Sequence, residues 1–155
     1  MAGLQLNKIL TERNTLKLFV GIGNVLHRDD GAGPYIVQRI HENDHIRALN
    51  AEVSIENYIG KINALNPDVL VLVDSVLFNQ KPGYWQFMPI EHIIDFTTGT
   101  HNISLKKISD FFKTEVWILG IQPESVSFGE HISSPVIASA ETIVKLINEK
   151  TLDGN

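Results

Sequence analysis

The chain has no cysteine among its 155 residues, which excludes disulfides, thiolate zinc sites and cysteine nucleophiles. Carboxylates and imidazoles are left as its only strong side-chain metal ligands. A positive charge excess is also missing, since 13 Lys and Arg stand against 18 Asp and Glu for a formal net charge of -5. No electrostatic attraction to nucleic acid or to an anionic membrane surface follows, and neither is expected as a partner. No stretch reaches the roughly 18 consecutive apolar residues of a membrane span, and no charged segment leads into a long apolar run at the amino terminus. Membrane insertion is therefore not expected, and a cytoplasmic location is. Two catalytic signatures are absent too: the G-x-S-x-G elbow of α/β-hydrolases and the Walker lysine.

What is present is an ordinary globular composition, 43% hydrophobic and 20% charged. The length suits one domain that buries about two-thirds of its unfolded surface. Residues 1–15 read as an N-terminal arm, in which Leu4, Leu6, Ile9 and Leu10 form either a short helix or a loosely packed strap. Residues 16–150 read as the single domain and 151–155 as a tail.

Lys17 to Ile22 is apolar on both parities and ends at Gly23-Asn24, the pattern of a strand buried on both faces. Pro34 fits the first turn of a helix that carries Ile36, Val37 and Ile40 on one face. Val53 to Ile55 reads as a second strand. Tyr58, Ile59, Ile62 and Leu65 suit a helix stopped by Asn66-Pro67-Asp68. Val69-Leu70-Val71-Leu72-Val73 is the expected central strand, with Asp74 at its carboxyl end. Tyr84 to Met88 and Val116 to Ile121 complete the strands, and Leu105, Ile108 and Phe112 share a helical face between them. The last helix is to be capped by Ser134, with Pro135 in its first turn and Val136, Ile137, Ala140, Ile143, Val144 and Ile147 as its core stripe. Alternating strands and helices predict a three-layer α/β/α sandwich around a mostly parallel sheet of about five strands, with its site beyond the strands' carboxyl ends.

Gly21-Ile22-Gly23-Asn24-Val25-Leu26 lies where a dinucleotide fold keeps its glycine turn. Leu26 replaces the third glycine, however, and Asp29-Asp30 would oppose a pyrophosphate. The same acids, flanked by Gly31 and Gly33, make a carboxylate loop in which one acid caps a helix and the other points outward. Asp74 ends an aliphatic strand, where an ion must be paired, hydrogen-bonded or metal-bound. His101 lies in a loop of small residues, Thr97-Thr98-Gly99-Thr100, where a lone histidine is usually a surface residue. His41-Glu42-Asn43-Asp44-His45 matches the H-E-x-x-H pattern of zinc peptidases. It falls at the expected end of the first helix, opposite the predicted site edge, so a solvated helix terminus is the better account.

Taken in order, Gly21-Ile22-Gly23-Asn24-Val25-Leu26, Asp29-Asp30-Gly31-Ala32-Gly33-Pro34, Leu70-Val71-Leu72-Val73-Asp74, Thr100-His101-Asn102 and Leu119-Gly120-Ile121-Gln122-Pro123 resemble the hydrogenase maturation endopeptidases. The subgroup serving formate-hydrogenlyase-type hydrogenases is the most similar. The resemblance spans Leu18 to Leu146. It implies a peptidase domain that clips a C-terminal extension from a nickel-iron hydrogenase large-subunit precursor after nickel insertion. It also implies that Asp30, Asp74 and His101 form the catalytic metal site, with nickel supplied by the substrate and other divalent metals able to substitute. Two features depart from the family pattern: the N-terminal arm before the first strand, and Asn50-Ala51-Glu52-Val53-Ser54 in place of an Asp-Gly-Gly, with Glu56-Asn57 retained. The alternatives are a zincin-like peptidase using His41, Glu42 and His45, and a noncatalytic nickel-binding maturation factor.

Overall fold

The computed structural model describes residues 2–93 and 105–153. Five strands form one sheet: β1 (Lys17–Ile22), β2 (Ile46–Glu52), β3 (Val69–Ser75), β4 (Trp85–Pro89) and β5 (Glu115–Ile121), in the order β2-β1-β3-β5-β4. The first four positions are parallel and β4 joins β5 antiparallel at one edge. β3 is thus central, as its unbroken aliphatic run predicts, and the run is buried from Val69 to Asp74.

Side chains of alternating parity divide the core in two. Phe19, Val71, Val73, Leu119 and Ile121 face one way and pack with helices α1 (Ala2–Thr11), α2 (Ala32–Val37) and α4 (Ser134–Asp153). Leu18, Val20, Leu70, Leu72, Val116 and Ile118 face the other way and meet Ile62 of α3 (Ile59–Leu65), together with Leu105 and Phe112. The result is the expected three-layer α/β/α sandwich. Among the described residues no helix is long and apolar enough to cross a membrane.

The structure decides between the two readings of the amino-terminal segment and corrects local expectations elsewhere. The N-terminal segment is a helix, and Leu6, Ile9 and Leu10 of α1 are buried in the core while Leu4 stays exposed. At the other end α4 continues to Asp153, through residues read as the start of a tail. The second strand is Ile46–Glu52, not 53–55; Glu52 turns into the left-handed region at φ 55° and a 3₁₀ turn follows at Ile55–Tyr58. This edge strand is only partly buried, so pairing with β1 defines it, and its side chains carry no apolar run to announce it.

Helix α2 ends at Val37, short of the expected Ile40 and His41. Side chains take over its exit: Asn148 of α4 accepts from the His41 N–H and donates to the Arg39 carbonyl. Asn43 Oδ1 then accepts from the N–H groups of His45 and Ile46, which starts β2 at the amino edge of the sheet. The last correction concerns the start of α4, whose first helical bond runs from the Ile137 N–H to the carbonyl of Ser133. Ser134 is exposed inside the helix, and the residue before the helix is Ser133.

Candidate active site at the switch point of the sheet

From β1 the chain moves to β2 on one side, and β3 then lies on the other, so the carboxyl ends of β1 and β3 flank the point where winding reverses. Open α/β sheets leave a crevice there. Asp30 follows β1 and Asp74 sits near the end of β3.

Close packing explains the glycines beneath this crevice. A Cβ on Gly33 would lie 2.2 Å from the Val73 carbonyl oxygen and 2.5 Å from that of Ile22, so α2 starts against the backbones of β1 and β3. Gly21 faces the same contact from β1, where a Cβ would meet Val37 at 2.5 Å. Gly23, at φ +145°, leaves room for the Asp30 carbonyl, which an added Cβ would meet at 1.8 Å. These glycines let protein backbone approach the turn closely.

The two neighbouring acids are sorted cleanly. Asp29 is fully buried, and its carboxylate accepts from the N–H groups of Glu124, Ser125 and Ser133 and from the Ser133 hydroxyl. Neither Asp29 nor Asp30 caps the start of its own helix; Asp29 instead ties the loop after β5 to the loop after β1. Arg28 N–H donates to the Gly129 carbonyl and Gly129 N–H to that of Leu26, both at 2.7 Å, which closes the seam.

Asp30 is half-buried and reaches across to the end of β3. Its Oδ2 accepts from the Asn24 N–H at 2.8 Å and its Oδ1 from the Ser75 hydroxyl at 3.1 Å. Ser75 also donates its N–H to Asp74 Oδ1 at 2.8 Å. The carboxylates of Asp30, in the turn after β1, and Asp74, on β3, therefore converge on one residue. Asp74 itself has no exposed surface. Opposite it in register is Gly120, where a Cβ would crowd Phe78 and Val76 at 2.8 Å. His101 lies outside the described residues, and among those described no group of three or more His, Asp or Glu is placed to hold a metal.

Gln122 serves structure: its Oε1 accepts from the Phe78 N–H at 2.6 Å and its Nε2 donates to the Pro123 carbonyl. The H-E-x-x-H segment is no site either. It is not helical, so its histidines do not share a helix face. Glu42 is engaged with Arg47 Nε at 3.2 Å and the Ala48 N–H at 2.9 Å. Ser75 and Ser133 were not singled out by sequence reasoning. The only signal for Ser75 is its place directly after the strand-end acid, and for Ser133 there is none beyond its place before the last helix.

Known proteins resemble this chain over most of its length. A family model described as hydrogenase maturation protease, HycI, matches residues 34–150, a span that includes Asp74 and His101 and begins just after Asp30. The hydrogenase 3 maturation protease of Escherichia coli K12 is 30% identical over 128 residues, covering 79% of this chain and 82% of that one. The crystal structure of the NiFe hydrogenase maturation protease HycI from Thermococcus kodakarensis superposes with a TM-score of 0.80 at 25% identity, covering 96% of this chain and 99% of that one. The solution structure of the endopeptidase HycI from Escherichia coli gives a TM-score of 0.73 at 25% identity, covering 90% and 92%.

Proposed function

Since the chain belongs to the hydrogenase maturation protease family and is a peptide-bond hydrolase, we propose that it removes the C-terminal extension of a nickel-iron hydrogenase large-subunit precursor, gripping the precursor's nickel with Asp30, Asp74 and His101. The observation that carries this reading is the meeting of Asp30 and Asp74 at Ser75, in the switch-point crevice. Nickel belongs to the substrate here. Two carboxylates and an imidazole suit a borderline divalent ion, with other divalent metals able to substitute, and they leave positions open for the precursor's own ligands and for water.

Gripping the precursor through its metal would fix the scissile peptide beside the two carboxylates, turning an encounter into a positioned reaction. In this reading Asp30 takes a proton from an attacking water, supported by its being more exposed than Asp74. Asp74 is covered in the free protein, so docking has to uncover it. Exposed Val25, Leu26, Val126 and Phe128 on the two seamed loops suit a polypeptide substrate better than a small ion or metabolite. A cytoplasmic location belongs to the same reading, because the precursor is met before its maturation is complete.

The test incubates nickel-loaded and nickel-free precursor with the parent and with folded Asp30→Asn, Asp74→Asn and His101→Ala variants, and reads the product mass. Cleavage only of loaded precursor, with each variant slowed by about 100-fold or more, is the expected result. Parent-like rates in all three variants would overturn the assignment. Stable binding of loaded precursor without cleavage would select a noncatalytic nickel-binding factor instead.

A further inference from the structure

Ser75 has two hydrogen bonds directed at two different acids. Its hydroxyl donates to Oδ1 of Asp30, 45 residues away, at 3.1 Å, and its backbone N–H donates to Oδ1 of Asp74 at 2.8 Å. Its place is set by the sheet: Ser75 is in register with Ile121 of β5, and the next residue, Val76, donates its N–H to the Ile121 carbonyl. The hydroxyl is therefore mounted on the central strand, whereas Asp30 is mounted on the loop after β1. The other Asp30 oxygen is held by the Asn24 N–H within that loop. Without the hydroxyl, nothing in this pair of bonds would tie the loop carboxylate to the strand.

We propose that Ser75 is a positioning residue: its hydroxyl fixes the orientation of the Asp30 carboxylate relative to Asp74, so that the two acids keep one relative geometry when docking uncovers Asp74 to the substrate's metal. This rests on the assignment of Asp30 and Asp74 as the metal-gripping pair. A carboxylate free to turn about its own bonds would have to be ordered during each encounter. A donor that orders it beforehand raises affinity for the metal without touching it, and outer partners of this kind typically carry about 10- to 100-fold in metal affinity or activity. The hydroxyl is needed for this and the side-chain volume is not, so threonine should serve and alanine should not.

The experiment compares the parent with Ser75→Ala, Ser75→Cys, Ser75→Thr and Asp30→Asn on nickel-loaded and nickel-free precursor. It measures the ratio of the two binding affinities, kcat, KM and Tm. In Ser75→Ala the preference for loaded precursor is expected to fall about 10-fold, with Tm close to the parent's, and Ser75→Thr should restore it. Ser75→Cys keeps the size with a weak donor, so it should follow alanine, and it carries the test if Ser75→Ala does not fold. Parent-like preference in Ser75→Ala while Asp30→Asn loses it would overturn the role of Ser75 alone. The same follows if threonine rescues no better than alanine. Parent-like behaviour of Asp30→Asn would remove Asp30 from the metal site and overturn this inference with it.

Discussion

Asp29 and Ser133, 104 residues apart, are joined twice, by the Ser133 N–H to Oδ1 at 2.6 Å and by its hydroxyl to Oδ2 at 2.8 Å. The same buried carboxylate also holds the N–H groups of Glu124 and Ser125. One acid thus fastens the start of α4 and the loop after β5 against the turn that carries Asp30. Asp29→Ala would leave the buried N–H and hydroxyl of Ser133 without an acceptor, each costing about 1–3 kcal/mol, and would also free the part-buried N–H groups of Glu124 and Ser125. A loss of at least about 3 kcal/mol is expected in denaturant unfolding. A loss below about 1 kcal/mol would show that the tether is dispensable.

Gly33 leaves no room for a methyl group, and what surrounds it is backbone that cannot rotate away. Gly33→Ala should push α2 off β1 and β3, costing about 1–3 kcal/mol or more as overpacking does. Gly60→Ala, where an added Cβ meets nothing within 4 Å, is the control. Comparison of the two unfolding midpoints decides the matter, and equal midpoints would contradict the packing described.

The amino-terminal helix is a structural part of the domain. Leu6 is completely buried beside Ile9 and Leu10, so Leu6→Ala should cost about 2–5 kcal/mol, whereas Leu4→Ala, on the exposed side, should stay within about 0.5 kcal/mol. Thermal unfolding of both variants tests this directly.

Lys17 is almost fully buried at the start of β1, and its ammonium donates to the Glu12 carbonyl. Burial lowers its pKa below the ordinary lysine value, against the raising influence of Glu12 and Asp68. Between the lowered and the ordinary value the unfolded chain binds more protons than the folded one, so this group makes stability rise with pH through that alkaline window. The parent should gain stability relative to Lys17→Met as pH increases there. A difference between the two that is flat across that range would refute it.

Glu42 pairs with Arg47 on the surface, with both side chains nearly half exposed. Glu42→Gln should leave precursor processing within about twofold and change stability by no more than about 1 kcal/mol. Abolished processing in this variant would revive the zinc-peptidase reading.

How much could be read in advance depended on where the information lay. β1, β3 and α4 were legible because each buries its side chains against two layers or along one stripe, and such burial writes an apolar period into the chain. β2 was not, since it is an edge strand held by backbone pairing, and the exit of α2 was not, since Asn148 from the far end of the chain satisfies it.

The candidate site divides in the same way. Residue types and order alone identified carboxylates at two strand ends and a family resemblance that the comparisons bear out. Only the tertiary structure decided that Asp29 is a tether while Asp30 reaches β3, and that Ser75 links Asp30 with Asp74. Two adjacent acids are chemically the same in a sequence. What separates them is which donors the fold brings to each, and those donors come from segments 45 and 104 residues away.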